Sequence, residues 1–329
     1  MKIPNSEIVL TGIRPTSNLT IANYIGAIMP IVAFQDQGLK PYVFVADIHA
    51  LTDNEPEILK YSDEILIDLL AAGVNPIKTI VYKQSAIANE IGMLTLLLAR
   101  HVSIAELLRL PTLKEKTKSE NVENANALLM MYPVMMAADI LIQRTNIVPV
   151  GKDQESHIEI ARKIARRFNQ EIKNIFPEPK THVIETVKIL SLRGESKMSK
   201  SKPEDAIFLT DDPKTIENKI KRAQTASTGI MSENLASHIL LIKTICKDPG
   251  ILEKVDGIIK EHISGINVMG AFKKIFIETV TNFLLQFQLK RQEIVTNKNK
   301  YLLELKSSNE IAISNAKETM KIVSAALGI

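Results

Sequence analysis

The chain has no tryptophan, a single cysteine (Cys246), and no apolar run approaching the length of a membrane span. One cysteine excludes a disulfide framework and a cysteine-based metal centre. A helix crossing a bilayer needs about 20 consecutive apolar residues, so a helical membrane span is excluded as well. The first residues run through Pro4, Asn5, Ser6 and Glu7 and lack the basic and long apolar segments of a secretory leader. A soluble, cytoplasmic protein is the expectation. Also missing are the Gly-x-Gly-x-x-Gly turn of a dinucleotide enzyme and the Walker loop of a P-loop NTPase. Any nucleotide site in this chain must be built from other parts.

What is present begins with size. At 329 residues the chain is long for one core, and two domains are expected. Hydrophobic residues make up 45% and charged residues 24%, a balance that forms cores rather than disorder. The net charge of +4 permits a nucleic-acid partner without requiring one.

The first half alternates strand-like and helix-like segments. Residues 8–10, 42–46, 79–82 and 147–150 read as strands, and 42–46 (Tyr-Val-Phe-Val-Ala) has the look of a strand buried on both faces. Residues 20–35, 58–72, 90–102, 125–142 and 155–168 read as helices, with Gly73 as a C-terminal stop for the second. This order predicts an α/β fold with a doubly wound parallel sheet. Beyond residue 213 the periodicity is helical throughout: 213–223, 231–245, 249–256, 268–287 and 309–326, with Ser307-Ser308-Asn309-Glu310 reading as the cap of the last. The expected organisation is an α/β domain over 1–193, a mobile loop over 194–205 and an all-helical domain over 206–329.

Three stretches carry chemistry. In Lys197-Met198-Ser199-Lys200-Ser201, Gly194 before and Pro203 after argue for a loop. Two ammonium groups and two hydroxyls at one point suit a triphosphate, although such loops are also common as solvated surface. Near the N-terminus, a strand leads through Gly12-Ile13-Arg14-Pro15-Thr16 into a helix beginning near Thr20. Ligands of open parallel sheets sit at such strand ends, and a helix N-terminus offers free N–H groups to a phosphate. Thr20 and Asn23 lie three apart on the first turn and can face one ligand; an ordinary helix cap is the alternative. The third stretch, Met130 to Leu141, is strongly apolar yet contains Asp139. Tyr132, Met136 and Asp139 share one helix face. A buried carboxylate needs a donor, and an indole is a flat apolar body with one N–H donor. A core carboxylate satisfied by Ser, Arg or backbone, among methionines that merely fill space, fits the same residues.

Taken together these stretches resemble class I aminoacyl-tRNA synthetases, and the tryptophanyl branch in particular. Lys197–Ser201 resembles the family's signature loop. Thr20-Ile21-Ala22-Asn23 is similar to its Thr-Ile-Gly-Asn tetrapeptide, with alanine for glycine at Ala22. Met136-Ala137-Ala138-Asp139-Ile140-Leu141 resembles a stretch of the bacterial members, and Ile147-Val148-Pro149-Val150-Gly151-Lys152-Asp153-Gln154, followed by His157, continues the pattern. Asp47, His49 and Thr52 fit an early signature. Departures are Ala22, Arg14 and Thr112, the last two at positions where the family often has Gln, and Lys152 where it usually has Glu.

The resemblance implies a tryptophan–tRNA ligase acting in two steps. The carboxylate of L-tryptophan attacks the α-phosphorus of ATP and releases pyrophosphate; the adenylate is then transferred to tRNA(Trp) with release of AMP. It implies catalytic roles for Lys197, Lys200, Thr20 and Asn23. It implies ATP binding by Gly12, Arg14, Pro15, Thr16, Ala22, Asn23, Gly151, Lys152, Asp153 and Ile189 together with Lys197, Met198, Ser199, Lys200 and Ser201. It implies tryptophan binding by Asp139, Met136, Tyr132, His49, Val148, Val150 and Gln154. Mg²⁺ accompanies the nucleotide without a dedicated protein site, and the protein is a homodimer. The helical domain reads the CCA anticodon, with Lys219, Lys221, Arg222, Lys273, Lys274, Lys290 and Arg291 as candidate phosphate contacts and Lys114, Lys116 and Lys118 as a second basic strip. Two alternatives stand beside this: a synthetase paralogue that binds or regulates without charging tRNA, motivated by Ala22, Thr112 and Lys152, and a small-metabolite adenylyltransferase, disfavoured by the long helical half.

Overall fold

The computed structural model describes residues 7–15, 18–52, 58–111, 113–114, 127–151, 155–183, 189–194 and 196–329. Thr16, Thr112, Lys116, Lys118, Lys152, Asp153 and Gln154 lie outside the described residues.

Five short strands form the centre: β1 (Leu10–Ile13), β2 (Tyr42–Val45), β3 (Ile80–Lys83), β4 (Ile147–Val150) and β5 (Lys180–Val183). All pairings are parallel. β2 lies between β1 and β3, β4 pairs with β5, and a single bridge from Val9 to Ile147 joins the two groups. The order 3-2-1-4-5 is that of a doubly wound sheet, with its switch point between β1 and β4. There the two strands pair only at their amino ends, where Asn146 and Ile147 donate to the Ile8 carbonyl. Towards their carboxyl ends they leave a crevice between them.

Alternation along the strands sorts side chains into two cores. Val43 and Val45 of β2 face one cluster with Ile13 and Val81; Tyr42 and Phe44 face the other with Leu10, Ile80 and Tyr82. Between β1 and β2 the chain runs through α1 (Ile21–Asn23), a π-helical turn (Tyr24–Ile28) and α2 (Met29–Asp36). The 20–35 helix of the sequence reading is thus one helical segment with its second turn widened. After β2 follow α3 (Asp47–Ala50) and α4 (Ile58–Ala71), which ends at Gly73 with φ of +103°. The Gly73 and Val74 N–H groups close back onto Leu70 and Leu69, a stop that a side-chain-bearing residue would strain.

On the other face lie α5 (Ala88–Ala99), α6 (Ile104–Leu107), α7 (Ala127–Ile142) and α8 (Glu155–Glu171). The C-terminal part comprises α9 (Pro213–Lys221), α10 (Glu233–Ile245), α11 (Pro249–Ile263), α12 (Met269–Thr296) and α13 (Lys298–Leu327). Phe272, Phe276, Val280 and Leu284 of α12 share a core with Val43 and Val45, while Ala312, Ala316 and Val323 of α13 share the opposite core with Tyr42 and Phe44.

Three sequence expectations are corrected here. α11 runs seven residues past 256, α12 runs nine past 287, and α13 begins at Lys298 rather than at a cap near 309. Ser308 is interior to α13 and fully buried; its hydroxyl accepts from the Val81 N–H at 2.6 Å and donates to the Thr79 carbonyl at 3.2 Å. β3 is the outer strand of its sheet, so its free backbone groups need partners. Ser308 supplies one from a helix more than 200 residues away in sequence, a contact that no local pattern encodes.

Candidate active site

The crevice at the switch point opens into a cavity of about 380 Å³. Its walls come from β1 (Leu10, Thr11, Gly12), the end of β2 (Phe44, Ala46), α3 and the turn after it (His49, Thr52), α7 (Tyr132, Met136, Asp139, Ile140), β4 (Val148, Val150) and α8 (His157), with Arg14 at the rim. Six predicted amino-acid-binding residues therefore line one space: Asp139, Met136, Tyr132, His49, Val148 and Val150. Gly12 is required by the packing. A Cβ there would come within 2.5 Å of the Phe44 ring, which lies across the strand end.

Asp139 is buried and elaborately held. His49 Nε2 lies 2.8 Å from its Oδ2, and Gln84 Nε2 donates to both oxygens at 2.8 and 2.9 Å. Because a carboxylate only accepts, the His49 proton sits on Nε2. Gln84 also accepts from the His49 backbone N–H at 3.1 Å, so one amide fixes both partners. Burial pushes the Asp139 carboxyl up, and the His49 and Gln84 hydrogen bonds oppose that rise. An ionised carboxylate offers about four acceptor positions, and these contacts take three, leaving one for a donor in the cavity. The sequence left open a Ser, Arg or backbone partner; the observed partners are a histidine and a glutamine.

No motif singled out Gln84. It follows β3 immediately, at the carboxyl end of a parallel strand, and that position was the one available signal. Asp47 anchors the same turn by accepting from the Ser85 N–H at 2.9 Å and the Ser85 hydroxyl at 2.5 Å. Around the rim, Arg14 Nη2 reaches Thr52 Oγ1 at 3.1 Å and the His49 carbonyl at 3.3 Å. Tyr132 Oη lies 3.1 Å from His157 Nε2.

The nucleotide-type residues form a second group. Thr20 caps α1: its Oγ1 accepts from the Asn23 N–H at 3.2 Å, and Asn23 Oδ1 accepts from the Thr20 N–H at 3.0 Å. The two residues present one reciprocal box at the helix N-terminus, with half-buried Ala22 between them and Pro15 buried just upstream. The Lys197–Ser201 loop is distant in sequence and pairs by backbone with residues 189–190, while the segment that follows it is tied to this helix. Met198 N–H donates to Ile189 O at 2.9 Å, and the Met198 side chain enters the same core as Ile189 and Ile21. Downstream, Thr20 and Phe208 form an antiparallel bridge, with Ile21 N–H donating to Ile207 O and Leu209 N–H to Leu19 O, both at 2.9 Å. Lys197, Ser199 and Ser201 are exposed, and the two hydroxyls lie 2.8 Å apart. Lys200 is half-buried, and burial lowers its ammonium to about 8. Gly151 stands half-buried just past β4.

Of the basic residues assigned to nucleic acid, two turn inward. Lys219 is nearly buried, bonding Asp211 at 2.7 Å and the Ala206 carbonyl at 2.9 Å, and Arg291 pairs with Asp68 and Glu64 of α4. Lys221, Lys273 and Lys274 line one recess. Sequence spacing showed where positive charge falls along the chain but not which way each side chain points.

A doubly wound sheet with a cavity at its switch point, a capped helix after β1 and a Lys/Ser loop whose following segment is bonded to that helix is the frame of a class I synthetase. The profile of the tRNA synthetases class I (W and Y) matches residues 4–263, and the chain belongs to that family. Within it, the chain is 35% identical to a tryptophan–tRNA ligase of Chlamydia caviae over 96% of this chain and 94% of that one. It is 36% identical to the tryptophan–tRNA ligase of Mycoplasmopsis pulmonis over 96% and 98%. The crystal structure of tryptophanyl-tRNA synthetase from Campylobacter jejuni complexed with ADP and tryptophan superposes with a TM-score of 0.84 at 29% identity, covering 98% of this chain and all of that one.

Proposed function

We propose that the chain is a tryptophan–tRNA ligase, which activates L-tryptophan with ATP and transfers it to tRNA(Trp). The observation that carries this is a mostly apolar cavity with one buried, three-times-bonded carboxylate in its wall, at the switch point of a family whose similar members are tryptophan–tRNA ligases. An acceptor fixed in an apolar pocket takes an indole N–H and rejects phenylalanine, which would leave it unpaired. Such rejection reaches about 10⁴–10⁵-fold.

In this proposal Asp139 receives the indole, with Tyr132, Met136, His49, Val148, Val150 and Gln154 around the ligand. Thr20 and Asn23, with Gly12, Arg14, Pro15, Thr16, Ala22, Gly151, Lys152, Asp153 and Ile189, hold ATP. Lys197 and Lys200 supply positive charge to the departing pyrophosphate, and Ser199 and Ser201 donate to it, with Met198 seating the loop in the core. No nucleophilic side chain is needed. Orientation and charge stabilisation carry the first step, and loop closure over the nucleotide precedes it. Among the described residues no cluster of three His, Cys, Asp or Glu side chains is placed to hold a metal. Mg²⁺ would ride on the ATP phosphates, where it neutralises charge.

The chain divides, in the same proposal, into a catalytic part over 1–193, the loop over 194–205 and an anticodon-binding part over 206–329, in which Lys221, Lys273 and Lys274 are the best-placed phosphate contacts. The proposed homodimer accords with Met93 and Leu96, exposed apolar residues on successive turns of α5. Among the described residues no helix is long and apolar enough to cross a membrane, and a cytoplasmic location accords with tRNA charging.

The test is ATP–pyrophosphate exchange with each of the twenty amino acids, followed by charging of tRNA(Trp). Exchange supported by tryptophan alone and charging of tRNA(Trp) are expected. Exchange best with tyrosine overturns the specificity, and exchange without charging turns the chain into the non-charging paralogue.

A further inference from the structure

The chain enters the Lys/Ser loop through a short antiparallel hairpin. Leu190 and Lys197 form a bridge. The Ser191 N–H donates to the Ser196 carbonyl at 2.8 Å, and the Met198 N–H closes the same pair of arms onto Ile189. Gly194 lies in the turn between them, with φ of +90°. The outgoing arm is buried at Leu190, Ser191 and Leu192, so its backbone groups need partners. The returning arm carries Lys197, which is exposed, and Met198, whose side chain sits in the core.

Those partners come from the helical part. Asn234, in the first turn of α10 and only 2% exposed, donates from Nδ2 to the Ser191 carbonyl at 3.1 Å and to the Gly194 carbonyl at 2.8 Å. Ser237, three residues on and on the same helix face, accepts from the Leu190 N–H at 2.8 Å. Gln224 Oε1 accepts from the Gly194 N–H at 3.1 Å, and its own N–H donates to the Leu192 carbonyl at 2.8 Å. The Leu192 N–H in turn donates to the Asp205 carbonyl at 2.8 Å, on the far side of the loop. A single buried amide therefore spans the hairpin from its outgoing arm to its turn, where the chain both enters and leaves the loop. Asn234 belongs to none of the motifs read from the sequence.

We propose that Asn234, with Gln224, is a positioning residue for Lys197: the two amides hold the hairpin turn against α10, so that the Lys197 ammonium returns to one place each time the loop closes. This rests on the assignment of Lys197 to the adenylation site. A closing loop must move, yet a charge that acts on a leaving group must be placed closely. Both needs are met when the base of the loop is fixed and the part beyond Met198 moves. Lys197 stands between two fixed points, the turn bonded to Asn234 and Gln224 and the Met198 side chain in the core.

The experiment follows amide hydrogen–deuterium exchange of the full chain on peptides covering 189–198, read by mass spectrometry, beside the kinetics of tryptophan-dependent ATP–pyrophosphate exchange. Asn234→Ala is expected to speed deuterium uptake in the hairpin about tenfold, from the loss of two hydrogen bonds, and to leave peptides over β2 unchanged. It is expected to lower kcat about tenfold with the tryptophan KM within about twofold. In a Lys197→Ala background the same change should cost less than about twofold more, because residues that act through one another do not add. Gln224 is exposed, so Gln224→Ala serves if Asn234→Ala does not fold. It is expected to speed hairpin uptake about threefold, and Gln224→Glu, which keeps an acceptor, restores it. Unchanged hairpin uptake in either folded variant overturns the proposal, as does an equal rise in the β2 peptides, which marks a role in the whole fold. Full multiplication of the Asn234→Ala and Lys197→Ala losses overturns the link to Lys197. Because deuterium uptake needs no turnover, a chain that shows no pyrophosphate exchange with tryptophan refutes the ligase assignment, and the uptake still decides whether Asn234 holds the hairpin.

Discussion

The proposed amino-acid end and the proposed nucleotide end of this site are built on opposite plans. At Asp139 each partner is itself held: His49 by Gln84, Gln84 by its place after β3, and the α3 turn by Asp47 and Ser85. At the nucleotide end, Thr20 and Asn23 bond mainly each other, and Lys197, Ser199 and Ser201 stand exposed. The contrast follows from the work each end would do. Discrimination between side chains differing by one N–H requires an acceptor that cannot move to accommodate the wrong one. A triphosphate that must enter, break and leave requires charge on a segment that can close and reopen. The two parts of the nucleotide end are joined through backbone, by the pairing of residues 207–209 with 19–21.

The sharpest way to break that comparison is at Asp139. Asp139→Asn keeps the shape but loses the charged acceptor and strands His49. It is expected to lower kcat/KM for tryptophan by about 10²–10³-fold, since uncoupling a buried charged pair costs about 2–5 kcal/mol. The KM for ATP should stay within about threefold. Equal damage to both substrates in exchange kinetics would show that Asp139 supports the whole fold rather than one end. Next in size is Lys200→Ala, expected to slow adenylation about 10²-fold by removing a charge aimed at the leaving group. Tryptophan affinity should be unchanged. The chain contains no tryptophan, so emission from the bound ligand reports its affinity directly.

The residues behind these two predictions differ in how legible they were. Lys200 stood out because a Lys/Ser loop is a local pattern, and Asp139 because a carboxylate inside an apolar run is an anomaly. Gln84 and Phe44 were silent: one glutamine after β3 and one phenylalanine within β2 carry no periodic signal, and their roles arise from pairing across the sheet. The fold was read in the same way. The strand–helix alternation and the helical C-terminal half follow from local periodicity, and the observed elements lie within a few residues of those expected. The exceptions are α11, which runs on to Ile263, β5, which no local pattern announced, α12, which continues to Thr296, and Ser308, whose neighbours look like a cap and which is the partner of β3. The inward turn of Lys219 and Arg291 belongs with these, since charge along a chain does not reveal a buried carboxylate 223 residues away.

A third test asks what happens when a buried titratable group lacks the partners that Asp139 enjoys. His238 on α10 is buried and stacked on Phe276, and neither ring nitrogen has a hydrogen-bond partner among the described residues. Burial lowers it from 6.5 to about 4, with the Lys273 charge adding to the effect. The folded state binds the proton more weakly than the unfolded chain, so stability is unaffected well above pH 6.5 and falls as pH drops from there towards 4. His238→Phe should remove that loss, leaving the variant about 2 kcal/mol better off relative to wild type at pH 5 than at pH 8. Urea melts at the two pH values measure the difference, and a gap independent of pH would contradict it. The smallest expected effect is at Ser308. Ser308→Ala leaves the Val81 N–H unpaired and should lower stability by about 1–2 kcal/mol while leaving the KM values for both substrates unchanged. A shifted tryptophan KM would mean that the β3 edge is part of the amino-acid end.

The most direct test of the central claim is a crystal structure of the chain with L-tryptophan bound. The indole nitrogen is expected about 2.8–3.0 Å from an Asp139 oxygen, with His49 and Gln84 still in place on the carboxylate. An indole whose nitrogen points away from Asp139, with the carboxylate engaged by His49 and Gln84 alone, would contradict it.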